Sequence, residues 1–193
     1  MRRVALQERL WKAAHPAVVR KGQYASGKHV YREIQTYLLN ASDRRLLNEA
    51  PTDVRRNLLF AGPDSKGYFE IAVGTVRNFN RTKELPHFTR RRDGGWFDFQ
   101  LQVKEEDNRA EIIAYDFELR LPPGSSFDFV RFDLNPPEHP DKDDGLRSHM
   151  HLNADDDGLA APAPVMSPFE ILDLFLHGLR LNGRVRRKPA KEA

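Results

Sequence analysis

From Tyr68 onward the chain alternates apolar and polar residues with a period of two, the pattern of half-buried strands. Phe69, Ile71, Val73 and Thr75 share one face. After the turn signal Asp93-Gly94-Gly95, Phe97, Phe99, Leu101 and Val103 point one way and Asp98, Gln100, Gln102 and Lys104 the other. Beyond the polar turn at 105–109, Ile113, Tyr115, Phe117, Leu119 and Leu121 alternate with Ile112, Ala114, Asp116, Glu118 and Arg120. Beyond the Pro-Pro-Gly turn at 122–124, the stretch Phe127–Leu134 sets Val130, Phe132 and Leu134 opposite Arg131 and Asp133. Ser148–Asn153 reads as a further short strand. Short connections between consecutive strands predict an antiparallel meander.

The flanks read differently. Val4 to about Ala14 predicts a helix that His15-Pro16 ends. Val30–Leu39 is ambiguous, because Val30, Arg32, Ile34, Thr36 and Leu38 alternate with Tyr31, Glu33, Gln35, Tyr37 and Leu39 and neither face is cleanly apolar; a strand is the preferred reading. Ser42 or Asp43 caps a helix through Asn48, and Thr52 or Asp53 starts another turn or two to Phe60. Near the C-terminus, Ser167-Pro168-Phe169-Glu170 combines an N-cap, a first-position proline and a capping-box glutamate. Phe169, Leu172, Phe175, Leu176 and Leu179 then form a wide apolar stripe ending near Asn182-Gly183. The expected architecture is α+β: N-terminal helices, an antiparallel sheet of about five or six strands, and one C-terminal helix packed on the sheet. It forms a single domain over residues 1–182, followed by a basic, flexible tail at 183–193.

Composition narrows the chemistry. The chain has 193 residues and no cysteine, which excludes disulfides, Cys-type zinc sites and a thiol nucleophile. No apolar run approaches the length of a membrane span and the N-terminus lacks a signal-peptide core, so a cytoplasmic protein with no membrane partner is expected. The net charge of +3 is unevenly spread. Residues 1–32 carry a net +7, residues 77–92 a net +5 and residues 180–193 a net +5, whereas residues 138–157 carry −5. Positive segments that converge would attract a phosphate backbone through counterion release. Arg90, Arg91, Arg92, Arg186, Arg187 and Lys188 are the candidate nucleic-acid contacts, and Trp11 and Trp96 are candidate stacking platforms that also suit a core.

The densest chemistry lies between Arg131 and His151. Residues two apart on a strand point the same way, roughly 6.6 Å apart. Arg131 and Asp133 therefore share a face, as do His149 and His151. If the two strands are neighbours, these four side chains form one cluster, which His139 in the connecting loop can join. Two chemistries fit. In the first, which needs no cofactor, the histidines act as general acid and base, Asp133 orients an imidazole and Arg131 holds a phosphate, as cleavage of RNA through its 2′-hydroxyl requires. In the second, His149, His151 and either Asp133 or His139 bind a divalent transition metal. A plain alternative makes these structurally hydrogen-bonded histidines beside an ordinary Arg–Asp pair. The opening of a calcium loop at Asn153–Gly158 fails at its twelfth position, Pro164. Phosphate-binding and dinucleotide-binding glycine patterns are absent.

The stretch FVRFDLNPPEHP, then SHMHLN, then VMSPFEILDLFL resembles small bacterial proteins related to TumE-type toxins of toxin–antitoxin pairs. In that pattern an Arg-aromatic-Asp strand precedes a His-Pro loop, an H-x-H strand and a final amphipathic helix. The matching positions are Arg131, Phe132, Asp133, His139, Pro140, His149 and His151. The resemblance covers about 45 residues, and it implies action on RNA, an antitoxin partner and a role in stress or phage defence. Cupins also place H-x-H in a β-rich setting, with Asp155 here where Glu is usual.

Three functions follow as expectations. The first is a nucleic-acid-acting protein, a ribonuclease-like component of a toxin–antitoxin or phage-defence system, with RNA preferred over DNA. The second is a non-catalytic subunit that binds nucleic acid or a protein partner in a larger assembly. The third is a cupin-like metal-dependent enzyme.

Overall fold

A computed structural model describes residues 24–75, 83–125, 127–137, 147–152 and 160–179. The first described helix, α1 (Gly27–Asp43), starts where the Ser26 side chain accepts a hydrogen bond from the His29 backbone N–H. It occupies the stretch read as a strand. Val30, Ile34, Leu38 and Ala41 recur at helical spacing and are all buried, whereas Tyr31, Tyr37 and Leu39 are only half-buried. One narrow stripe of four decided the outcome, and Tyr31 and Tyr37 lie at its margins. The expected helix over 42–48 is instead the last turn of α1 and the turn after it. A second helix, α2 (Pro51–Asn57), ends earlier than expected and leads directly into a strand.

The sheet is larger than the sequence indicated. Its strands are β1 (Leu58–Ala61), β2 (Tyr68–Val73), β3 (Phe88–Thr89), β4 (Trp96–Glu106), β5 (Arg109–Arg120), β6 (Phe129–Leu134), β7 (Ser148–Leu152) and β8 (Ala160–Pro162). Seven run in the order β1-β2-β4-β5-β6-β7-β8, and β3 pairs with the start of β4. Every pairing is antiparallel, so the predicted meander is present. The strands that sequence reading passed over are the short ones: β1, β3 and β8 have four, two and three residues, too few for alternation to register.

One face of the sheet carries Phe97, Phe99 and Leu101 from β4, Phe117 and Leu119 from β5, and Val130 and Phe132 from β6, all buried. The C-terminal helix α3 (Pro168–Asp173), continued by a π-helical turn at Leu174–Gly178, lies against this face. Its capping box forms as the sequence predicts: Glu170 N–H donates to the Ser167 hydroxyl at 3.2 Å, and Glu170 Oε2 accepts from Ser167 N–H at 2.8 Å. Phe175 reaches the rings of Phe97 and Phe132, with centroids 5.8 and 6.3 Å away.

The end of that helical segment is tied down by Arg90. This guanidinium is 1% exposed. It donates to both oxygens of Asp93, at 2.9 and 2.5 Å, and to the carbonyls of Phe175 and Leu179, at 2.8 and 3.0 Å. Carbonyls at a helix end have no intrahelical donor, and here an interior arginine supplies one. A Cβ on Gly95 would sit 3.1 Å from the Arg90 guanidinium, so the glycine of the predicted turn also makes room for this side chain. Burial and these four bonds remove Arg90 from the candidate phosphate contacts. Arg92 also bonds the Leu179 carbonyl, while Arg91 is exposed. Trp96, a candidate stacking platform, is buried with its ring 5.1 Å from that of His87. The expected first helix, Trp11, the tail with Arg186, Arg187 and Lys188, and the segment with His139 all lie outside the described residues. Among the described residues, no helix is long and apolar enough to cross a membrane.

Candidate functional site

The second face of the sheet is built from the other half of the alternation. Register fixes two rows across four strands. Asp98, Glu118, Arg131 and His151 are successive cross-strand partners in one, and Gln100, Asp116, Asp133 and His149 in the other. Directly opposed residues on one face have Cβ atoms about 4.5–5.5 Å apart, so eight polar side chains form a continuous patch. This face is not solvated in the manner of a typical antiparallel sheet. Asp98, Asp116, Glu118, Asp133, His149 and His151 are all buried. Buried charge is costly unless it is paired or coordinates a metal.

The adjacency assumed for Arg131, Asp133, His149 and His151 holds, because β6 and β7 are direct neighbours with Asp133 opposite His149 and Arg131 opposite His151. Their atoms converge on a single oxygen. Asp133 Oδ2 lies 2.8 Å from Arg131 Nε, 3.1 Å from His151 Nε2 and 3.4 Å from His149 Nε2. The imidazole rings meet nearly edge to face, with centroids 4.9 Å apart. Burial alone would push the Asp133 carboxyl up. The bonds to His149 and His151 and the Arg131 charge outweigh it and hold the group well below the usual carboxylate range. Asp133 is therefore an anion at neutral pH.

One ligand atom from each of Asp133, His149 and His151 lies within 4.8 Å of the other two. Two imidazoles and one carboxylate form a donor set suited to zinc or non-haem iron, with open positions left for water or substrate. The arrangement suits two separate acid–base partners less well, since both Nε2 atoms face the same carboxylate oxygen rather than opposite sides of a substrate.

The sequence reading did not bring the acidic side chains of β4 and β5 to this centre. Glu118 Oε1 accepts from Arg120 Nε at 2.7 Å, and its other oxygen is 3.9 Å from Arg131 Nη1. A chain of alternating charges thus runs from Arg120 through Glu118 and Arg131 to Asp133. The signal was present: extending the Arg131/Asp133 face through the meander places Glu118 and Asp116 next to it. On the opposite face Tyr115 closes the end of the core. Its hydroxyl accepts from Met166 N–H at 3.2 Å, and burial raises its ionisation well above the ordinary value. No family model, no curated protein and no solved structure matches this chain.

Proposed function

We propose that this chain is a divalent-metal-dependent enzyme that acts on nucleic acid, cleaving phosphodiester bonds at Asp133, His149 and His151. The observation that carries this reading is the convergence of three metal-ligating side chains in a buried patch, held by a registered pair of strands. The ligands lie on rigid sheet elements, which favours a fixed geometry over one assembled from loops. A metal bound there would polarise a phosphoryl oxygen and activate water at neutral pH. Arg131 is the most exposed member of the cluster, with a side chain 18% exposed against 2–11% for Asp133, His149 and His151, and it supplies positive charge beside the centre. The basic stretches of the sequence and the exposed Arg91 favour a polyanionic substrate. The C-terminal resemblance to TumE-type toxins adds RNA as that substrate, an antitoxin as partner and a cytoplasmic, defence-related setting.

A second reading has a specific observation behind it. The strongly ionised Asp133 facing two imidazoles is also what a metal-free acid–base site needs to orient its histidines. One experiment separates the two. Purified protein is incubated with end-labelled single-stranded RNA and DNA, with Mn²⁺ or Zn²⁺ or with a chelator. Metal-dependent cleavage of RNA that is lost in His149→Ala and His151→Ala supports the proposal. Cleavage that persists in chelator and is lost in the same variants selects the metal-free reading. Absence of cleavage in every condition, alongside salt-sensitive RNA binding, would replace both with a non-catalytic binding subunit.

A further inference from the structure

Arg131 stands in a position that an ordinary supporting residue of a metal centre does not occupy. Its Nε donates to Asp133 Oδ2 at 2.8 Å, and both imidazole Nε2 atoms face that same oxygen. A guanidinium carries a fixed positive charge, so it repels any cation arriving at that oxygen. A second carboxylate lies on the far side of the arginine: Glu118, its direct neighbour across the β5–β6 pair, with Oε2 3.9 Å from Nη1. Glu118 has a closer partner in Arg120, at 2.7 Å, and its contact with Arg131 is looser than that of Asp133. The arginine is thus held between two anions, near to one and farther from the other, and of the groups around Asp133 Oδ2 it has the greatest access to solvent.

We infer that Arg131 is a displaceable counter-ion, which neutralises Asp133 while the centre is empty and, once a divalent cation binds there, turns to hold an anionic group of the substrate beside the metal. The inference rests on the metal-centre reading above and deepens it. It makes metal and Arg131 competitors for one carboxylate oxygen. Glu118 limits the swing and keeps the arginine at the site.

The sign of one substitution tests this. Supporting residues around a metal strengthen its binding, and their loss typically weakens it about 10–100-fold. A competing counter-ion has the reverse effect. Mn²⁺ and Zn²⁺ binding is measured by titration calorimetry on the full chain as wild type, Arg131→Gln and Arg131→Lys, with circular dichroism verifying the fold. The expected result is tighter metal binding in Arg131→Gln, by about tenfold or more, and affinity near wild type in Arg131→Lys, which keeps the charge. Inorganic phosphate is then titrated into each metal-loaded protein, where Arg131→Gln is expected to bind it about tenfold more weakly than wild type. Weaker metal binding in Arg131→Gln, or an unchanged phosphate affinity, overturns the inference and leaves the metal centre standing. If Arg131→Gln fails to fold, Arg131→Lys decides: a loss of metal affinity beyond about tenfold marks a geometric support and overturns the inference, and retained affinity supports it. A wild type that binds neither metal overturns the inference and the metal centre together.

Discussion

Phe117 and Glu118 are consecutive residues of β5, 0% and 1% exposed, yet they belong to opposite kinds of order. Phe117 stacks on Phe99 with ring centroids 4.7 Å apart, in a face held by close packing that has no preferred partner atom by atom. Glu118 lies in a face where each side chain is placed by charge: Arg120 on one oxygen, Arg131 near the other, and Asp133 beyond. The first face gains stability from area removed from water. The second loses hydration and recovers it through directional pairing, which contributes little net stability and much geometric definition. One sheet thus has a side that holds the fold and a side that carries the candidate site.

Substitutions on the two sides should separate these roles. The largest effect belongs to the polar side. Asp133→Ala removes the oxygen on which Arg131 and both histidines converge, so, on the proposed metal-dependent nuclease reading, metal binding in equilibrium dialysis and RNA cleavage are expected to fall by more than about a hundredfold, beyond the usual loss of an outer partner, while urea unfolding stays cooperative. On the apolar side, Phe117→Ala is expected to cost about 3–5 kcal/mol in urea denaturation and to leave the metal affinity of the folded protein within a few-fold of wild type. Equal loss of metal affinity in both folded variants would erase the distinction.

A smaller effect follows pH. Burial raises the Asp133 carboxyl, but the histidine bonds and Arg131 prevail and depress it in the fold. Its stabilising contribution is therefore complete above the unfolded value of about 3.9 and is lost as pH falls through the folded value. The stability gap between wild type and Asp133→Asn, measured by urea denaturation at stepped pH, is expected to shrink as pH falls below 4. The smallest effect concerns a cap that serves neither role: Ser167→Ala is expected to lower stability by about 1 kcal/mol, read as a shift in the denaturation midpoint, with no change in metal binding.

Much of the polar side was legible from spacing alone. Period-two alternation placed Arg131 with Asp133 and His149 with His151, because side chains on a strand can only point two ways. What spacing does not encode is depth. Alternation puts Asp98, Asp116 and Glu118 opposite the apolar set but does not say that they are buried, since a charged residue opposite an apolar one is ordinarily exposed. Their burial depends on what lies over the sheet. Arg90 was misread for the same reason: an arginine in a basic stretch resembles a surface contact until its four acceptors are located. In the helical region the error was one of pattern. Val30, Ile34, Leu38 and Ala41 were available at helical spacing, but the tyrosines between them blurred the stripe. The fold class survived these errors because it follows from the order and type of the long elements.

The bonds of Arg90 also bear on how the chain is made. Asp93 leaves the ribosome almost together with Arg90, whereas the carbonyls of Phe175 and Leu179 follow 85 and 89 residues later. A nascent chain halted before that point has its central strands already synthesised and an interior cation still lacking two of its acceptors. Closure of the Arg90 pocket therefore waits until the segment carrying Phe175 and Leu179 has been made.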